Sequence, residues 1–224
     1  MKLLDISTDF FDQTWGAKCL GRDSSSAYDI FSKNVIIDSP IGYEKGAQSL
    51  KVVMDFWFDA FPDAFALVDK VEDYGHVLVS KWRACGTHLG TFQGIAPTQK
   101  KIFYSGETVF VFNDKKEVIH YISQLDLYDI FSQLGAAESF TSKSSKEILW
   151  GNLKLLVTAL KKNYLGLTQR EIECCSLFIS GFSSKQIGLM LCISHRTVEA
   201  YLEKGKFSLN CASRIQMIEK FLVE

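Results

Sequence analysis

The apolar pattern of this chain changes period along its length. Three segments, His76–Cys85, Lys101–Phe112 and Glu117–Asp126, are rich in Val, Ile, Phe and Tyr, and a short turn at Asn113-Asp114-Lys115 joins the last two. They read as strands. From Leu167 onward the apolar residues recur only at helical spacing. Two periods call for two kinds of layer, and 224 residues suit one large domain or two small ones. The seam is expected at Thr141–Lys146, TSKSSK, just after Gln133-Leu134-Gly135, where Gly135 suits a helix C-cap.

Charge divides at the same place. Residues 1–140 carry 13 basic and 19 acidic side chains, a net of −6, whereas residues 141–224 carry 12 and 7, a net of +5. The asymmetry points to a partner that only the C-terminal part touches, and nucleic acid is the obvious candidate. Other classes drop out. No apolar run approaches the roughly 18 residues of a membrane span. The first ten residues include Asp5 and Asp9 and do not read as a signal peptide, so the cytoplasm is the expected location. Six cysteines form no C-x-x-C pair and no zinc spacing with His, which leaves reduced, half-buried thiols and no metal site. No phosphoreceiver signature and no glycine-rich phosphate loop is present, so neither phosphorylation control nor nucleotide hydrolysis is expected, and no cofactor is called for.

The N-terminal half reads as α+β. Helical material is expected around Asp9–Cys19, Ala27–Ser32 and Ala47–Phe58, the last with Leu50, Val53, Met54 and Trp57 at i, i+3, i+4 and i+7. Helices would pack on one face of a curved antiparallel sheet. Strict alternation along the third strand places Val118, His120, Ile122, Gln124 and Asp126 on one face, which suits either a ligand pocket or a half-solvated sheet.

After the seam, Ile148, Leu149, Leu153, Leu156, Val157 and Leu160 predict a connector helix. It reads either as a dimerising or signalling helix or as an ordinary amphipathic helix packed on its own domain. Beyond it, Thr168 with Glu171 forms a capping box, and that helix ends at Gly181. Ser183 or Ser184 caps a second helix through Ile187, Met190 and Leu191. Ser194 caps a third, along which lie Thr197, Val198, Tyr201, Leu202 and Leu209, and a fourth runs from about Ser213 to Leu222. Two short helices joined by a tight turn have the geometry of helix-turn-helix DNA binding.

In Leu167, Thr168, Arg170, Glu171, Gly181, Ile187, Leu191, Ser194, Thr197, Val198, Leu209 and Arg214 this segment resembles the LuxR/GerE-type helix-turn-helix. The resemblance implies a third helix entering a major groove about 12 Å wide. Thr168, Ser183, Lys185, Ser194, Arg196, Thr197 and Lys204 are the candidates for positioning the protein on DNA, and Glu199, Ala200 and Glu203 for base contacts. Double-stranded DNA is the expected partner, bound by a homodimer. Glu199 stands where the family often has Lys. The two carboxylates either accept from cytosine N4 or sit at the groove edge. Gly205 stands on the buried stripe where the family usually has Ile. Glycine in a helix interior costs about 1 kcal/mol, and lost packing would add roughly 2–4 kcal/mol. A marginally stable C-terminal domain, raised in melting temperature by Gly205→Ile, is therefore expected. Ser208 replaces a Lys and removes one phosphate contact.

The N-terminal half carries Ala60-Phe61-Pro62-Asp63, the run GTHxGxFxGIxPT from Gly86 to Thr98, Gly106, the turn at Asp114-Lys115, and Asp126 ahead of Gln133-Leu134-Gly135. In these motifs it resembles the SnoaL-like polyketide cyclase and ester cyclase group. The implied fold is a cone of sheet and helices around an apolar pocket. In the polyketide cyclases of the group an Asp at the position of Asp126 acts as general acid/base, a role that burial serves by raising a carboxyl pKa. The ligand-binding candidates are Trp57, Trp82, His88, Phe92, His120, Gln124 and Asp126, and the pocket is either open or filled by Trp57, Trp82, Phe92 and Phe103. Ser39 follows Asp38 where the family often has His, which argues against turnover. If the chain were an enzyme, Asp126 and His88 would carry it.

Together these features imply a cone-shaped α+β domain over residues 1–140, a basic linker and connector over 141–164, and an all-α helix-turn-helix domain over 165–224. The function expected is a transcription regulator whose N-terminal domain senses a small apolar ligand or a protein. The alternatives are a cyclase or isomerase with an appended DNA-binding domain, and a cone that only dimerises. Catalysis requires Asp126 to have a partner inside a cavity. Sensing requires an enclosed cavity. A pure interaction module would show a filled core and an apolar surface patch.

Overall fold

The computed structural model describes residues 3–16, 25–137 and 166–222. The chain divides into two compact units, Met1–Ser145 and Lys146–Glu224. The expected seam and connector helix lie outside the described residues.

In the first unit, α1 (Leu3–Thr14) precedes a 3-10 helix (Ser25–Ile30) and strands β1 (Phe31–Ser39) and β2 (Gly42–Lys45). Helix α2 (Ser49–Ala60) follows, then β3 (Phe65–Asp73), β4 (Val77–Thr87), β5 (Lys101–Phe112), β6 (Val118–Leu125) and α3 (Leu127–Leu134). Six strands form one sheet in the order β2-β1-β6-β5-β4-β3. Every pair is antiparallel except β1 with β6, which is parallel, so the sheet is mixed where an antiparallel one was expected. Strands β1, β2 and β3 were not foreseen. The helix expected over Ala27–Ser32 shrinks to a single 3-10 segment feeding β1.

All three helices bury their apolar stripes on the concave face. Ile6, Phe10 and Phe11 of α1, Leu50, Val53, Met54, Trp57 and Phe58 of α2, and Ile130, Phe131 and Leu134 of α3 share one core with Val35, Ile37, Leu78, Trp82, Phe110, Phe112, Val118 and Tyr121 of the sheet. Edge-to-face contacts at 5.4–5.7 Å place Phe10 among Phe11, Phe31 and Phe110. The convex face carries its own buried row, Val77, Val79, Val109, Val111 and Ile122, each at most 3% exposed.

Strand β6 contains a register shift. Phe112 pairs with Val118 but Val111 pairs with His120, which leaves Ile119 as an extra residue. Such a bulge breaks the two-residue alternation. Val118 faces the concave core; after the bulge, Tyr121, Ser123 and Leu125 do. His120, Ile122 and Gln124 turn to the convex side, the reverse of the strict alternation expected from the sequence.

The second unit contains α4 (Gln169–Ile179), α5 (Ser184–Leu191), α6 (His195–Ser208) and α7 (Arg214–Leu222). Its core is Ile172, Cys175, Leu177, Ile187, Leu191, Val198, Leu202, Leu209, Met217 and Ile218. Of the three foreseen caps, Thr168 and Ser183 form capping boxes and Ser194 a simple cap. Thr168 Oγ1 accepts from the Glu171 amide while the Glu171 carboxylate accepts from the Thr168 amide at 2.7 Å. Ser183 and Gln186 repeat the arrangement at the start of α5. The backbone amide of Thr168, with help from nearby Lys204, holds the Glu171 carboxyl below its ordinary value.

Candidate nucleic-acid interface and cone cavity

Helix α6 presents two unlike sides. Val198, Leu202, Gly205 and Leu209 are buried, whereas His195, Arg196, Thr197, Glu199, Ala200, Glu203 and Lys204 are exposed. At 100° per residue, Arg196, Ala200 and Glu203 fall on successive turns of one outward stripe, flanked by Glu199 and Lys204. Ser194 accepts from the Thr197 amide at 3.1 Å, and its hydroxyl meets the Thr197 hydroxyl at 2.8 Å, so both side chains are spent on the cap. Thr168 and Ser183 are likewise exposed caps, and Lys185 projects from the first turn of α5. Glu203 pairs with Lys206 at 3.0 Å, and Lys206 also lies over the Phe178 ring.

The turn between α5 and α6 is tight. Cys192 is left-handed at φ 55°, and its amide and that of Ile193 both return to the Gly188 carbonyl. A Cβ at position 188 would lie 2.7 Å from the Ile193 carbonyl oxygen, so the backbones approach closely only because Gly188 has none. Arg214 proves architectural: its guanidinium donates twice to the Ile179 carbonyl, at 3.0 and 3.1 Å, closing the C-terminus of α4. Gly205 differs most from expectation. A Cβ there would overlap the Cys175 Sγ, which already fills the site from α4. The Cys175 thiol takes the space that a side chain at 205 would need, so the packing gap expected from the sequence is not seen there. Burial pushes that thiol up to about 12, as befits an inert packing group. Two exposed residues of α6 escaped sequence reasoning, His195 in its first turn and Phe207 near its end. The same helical wheel that selected Arg196 and Ala200 would have found Phe207, which is 89% exposed.

The cone of the first unit holds a half-open pocket of about 40 Å³. A single water needs roughly 10–15 Å³, and a cavity that takes benzene is about 150 Å³. Phe11, Trp15, Trp57, Trp82, Tyr104 and Tyr121 wall it, with Trp57 stacked on Tyr104 at 5.8 Å. Its polar groups are hydroxyls. Trp82 Nε1 donates to Thr108 Oγ1 at 2.9 Å, and Thr108 donates to Ser123 at 3.3 Å. Among the described residues, no carboxylate or imidazole lines it.

Of the pocket candidates, Trp57 and Trp82 line this cavity and the other five do not. Phe92 is fully buried beside it, packed on Trp57 at 5.2 Å and Phe61 at 5.3 Å. His88 is also fully buried, neither at a pocket mouth nor on the surface. Its Nδ1 accepts from the Thr98 amide at 3.2 Å and meets the Thr98 hydroxyl at 3.0 Å. Burial holds this imidazole below its ordinary range. The bulge turns His120 and Gln124 to the convex face. Asp126 is exposed and accepts from the Asp129 amide at 3.2 Å as the N-cap of α3, so it has no partner in the cone for acid/base work. Phe103 fills nothing, for it lies 63% exposed on the convex face. Much of the GTHxGxFxGIxPT run is thus a clasp. Leu89 and Gly90 amides bond the Ala60 carbonyl, and Asp63 accepts from the Thr87 amide and hydroxyl at 2.6 and 2.7 Å.

The convex face holds two titratable groups that sequence reasoning left without a place there. Asp38 pairs in register with Ile122, and His120 with Ile36, so the two are diagonal neighbours across β1 and β6. Burial pushes the Asp38 carboxyl up to about 7 and the His120 imidazole down to about 4.

A family model for SnoaL-like polyketide cyclases matches residues 9–134, the span of α1 through α3. The chain belongs to the SnoaL-like family. A second model, bacterial regulatory proteins of the luxR family, matches residues 165–221, so the second unit is a LuxR-type GerE domain, which supports DNA binding and transcription regulation. Solved structures agree on the SnoaL-like fold. A protein from Jannaschia sp. CCS1 assigned as a SnoaL-like polyketide cyclase is 21% identical, with a TM-score of 0.53, over 60% of this chain and 92% of that one. A protein from Acidithiobacillus ferrooxidans assigned as a polyketide cyclase is 23% identical, with a TM-score of 0.51, over 61% of this chain and 96% of that one. IdmH from Streptomyces antibioticus, likewise so assigned, is 17% identical, with a TM-score of 0.50, over 60% of this chain and 99% of that one. No curated protein matches the chain significantly. Among the described residues no helix is long and apolar enough to cross a membrane.

Proposed function

We propose that this SnoaL-like protein is a sequence-specific, dimeric transcription regulator of the cytoplasm, whose cone receives a signal and turns over no substrate. The observation that carries the reading is helix α6, capped by Ser194, with its apolar side buried and Arg196, Glu199, Ala200 and Glu203 presented together. Its N-terminus suits phosphates, with Arg196, Lys185 and Lys204 as positioning cations. Glu199 and Glu203 accept from cytosine N4, and Ala200 offers apolar contact to a thymine methyl. Thr168, Ser183, Ser194 and Thr197 act by holding the helix starts at the groove.

Two observations favour signalling over the cyclase alternative. The cavity walls offer hydroxyls and aromatic rings in place of an acid/base pair, and Asp126 serves as a cap. A volume of about 40 Å³ is small for a polyketide and favours a molecule of a few heavy atoms near Trp57 and Trp82, or a protein partner, as the signal.

Retention of fragmented genomic DNA by the full chain tests the proposal. The expected result is enrichment of a short two-fold symmetric site. Arg196→Ala is expected to weaken retention about tenfold and to lower the slope of log affinity against log salt by about one. No enrichment by the unmodified chain would defeat the regulator reading.

A further inference from the structure

The outward row of α6 does not end at Glu203. Arg196, Ala200, Glu203 and Phe207 stand at i, i+4, i+7 and i+11. At 100° per residue, all four fall within about 60° of one another around the helix. Phe207 lies near the centre of that arc, and the buried Val198, Gly205 and Leu209 lie on the opposite side. Its side chain therefore leaves the helix away from the body of the unit. At 89% it is the most exposed large apolar side chain among the described residues. A lone exposed aromatic needs no explanation on an ordinary surface. Here it continues the row that carries Ala200 and Glu203, where a base edge would come.

We infer that Phe207 is a further specificity-determining residue of α6, one that reads the methyl group of a thymine; the inference rests on the DNA-binding reading above. The surroundings of the ring select this occupant. Glu203, Lys204, Ser208 and Asn210 beside it are exposed and polar, so no apolar patch of the kind a protein partner would cover surrounds it. The neighbouring cation is turned aside. Lys206 pairs with Glu203 at 3.0 Å, lies 5.5 Å from the centre of the Phe178 ring, and has a side chain only 22% exposed. This end of the row thus offers a base edge an aromatic ring and no phosphate-seeking charge from Lys206. The thymine C5-methyl is the apolar group that base pairs present in the major groove, and a phenyl ring suits it. Ala200 and Phe207 are seven residues apart, which along a helix axis is about 10 Å, or roughly three base-pair steps. The two residues would read two methyl groups with that spacing.

Deoxyuridine substitution tests this, because it keeps the base pairing and removes only the methyl. The site enriched by the full chain is rebuilt with each thymine replaced singly, and affinity is measured for each. For the unmodified chain we expect losses of about fourfold at two positions roughly three base pairs apart. Phe207→Ala should erase one of these losses and spare the other. It should bind the natural site about fourfold more weakly, with an unchanged slope of log affinity against log salt. Phe207→Leu, which keeps an apolar contact, should retain part of the erased discrimination. The melting temperature of the LuxR-type unit should hold in both variants, since the ring is exposed. The same deoxyuridine profile in Phe207→Ala and in the unmodified chain would overturn the inference. Binding that Phe207→Ala leaves unaltered would overturn it in favour of a protein partner for the ring. A loss that is uniform across positions and lowers the salt slope would place the ring at the backbone and overturn it as well. An unmodified chain that retains no DNA would overturn it together with the regulator reading.

Discussion

Gly205→Ile is expected to lower the melting temperature of the LuxR-type unit by roughly 10 °C. Sequence reasoning points the other way, from a propensity cost of glycine of about 1 kcal/mol and an expected packing loss of roughly 2–4 kcal/mol. The Cys175 Sγ decides the sign. It occupies the position that the first added carbon would need, and three more heavy atoms must then be placed in a closed core. Overpacking of this kind costs about 1–3 kcal/mol, which outweighs the propensity gain. In a unit this small each kcal/mol moves the midpoint by about 4–8 °C. Calorimetry on the full chain reads the effect. Coupling gives a sharper check: Gly205→Ala and Cys175→Ala should each destabilise, and the double variant should recover part of the loss, because removing the thiol makes room for the methyl. A midpoint for Gly205→Ile at or above that of the unmodified chain would reject the packing account.

The second large effect concerns Asp38. Its folded-state pKa of about 7 lies above the ordinary carboxyl value of 3.8, so the native state holds a proton that the unfolded chain releases. Stability conferred by that proton is complete at low pH and falls as pH rises from about 4 to 7, by up to roughly 4 kcal/mol for a shift of this size. His120 works oppositely. With its folded pKa near 4 against 6.5, the unfolded chain takes up a proton that the native state refuses, so stability is lost as pH falls through that window. The two slopes oppose each other between about pH 4 and 6.5. Asp38→Asn should therefore stabilise the SnoaL-like unit most at pH 8 and expose a steep acid lability. His120→Asn should remove the acid lability and leave stability falling toward pH 7. Urea titrations at pH 4.5, 6 and 8, followed by the fluorescence of Trp57 and Trp82, measure both. A pH profile unchanged by Asp38→Asn would show that the carboxyl is not held protonated.

The helix-turn-helix was legible because its signals are local. Thr168 with Glu171 and Ser194 with Thr197 act within three residues, and the buried stripe of α6 follows one helical period. Gly205 was misjudged because its explanation lies on another helix, thirty residues earlier in sequence. In the cone, β4, β5 and β6 announce themselves by long β-branched and aromatic runs. Strand β3 does not: Asp69, Lys70, Glu72 and Asp73 give it the charges that protect a sheet edge, and they mask the strand pattern. The convex placement of His120 and Gln124 depends on the one extra residue Ile119. Periodicity has no means of sensing such a bulge, because both phases of β6 offer a plausible inward face. The GTHxGxFxGIxPT run identified the family correctly, yet its His88 and Phe92 stabilise the frame and leave the cavity wall to aromatics that no motif marks.

Gln133 has a consequence for how the protein avoids unwanted growth. Near Phe103, β5 outruns its neighbour β6, whose pairing begins only at Gly106. An unpaired backbone stretch beside an exposed aromatic ring is a template on which foreign strands could add without limit. By occupying both backbone groups of Phe103, one glutamine amide acts as a chain terminator for strand addition. This end of the sheet is thereby guarded against open-ended strand addition.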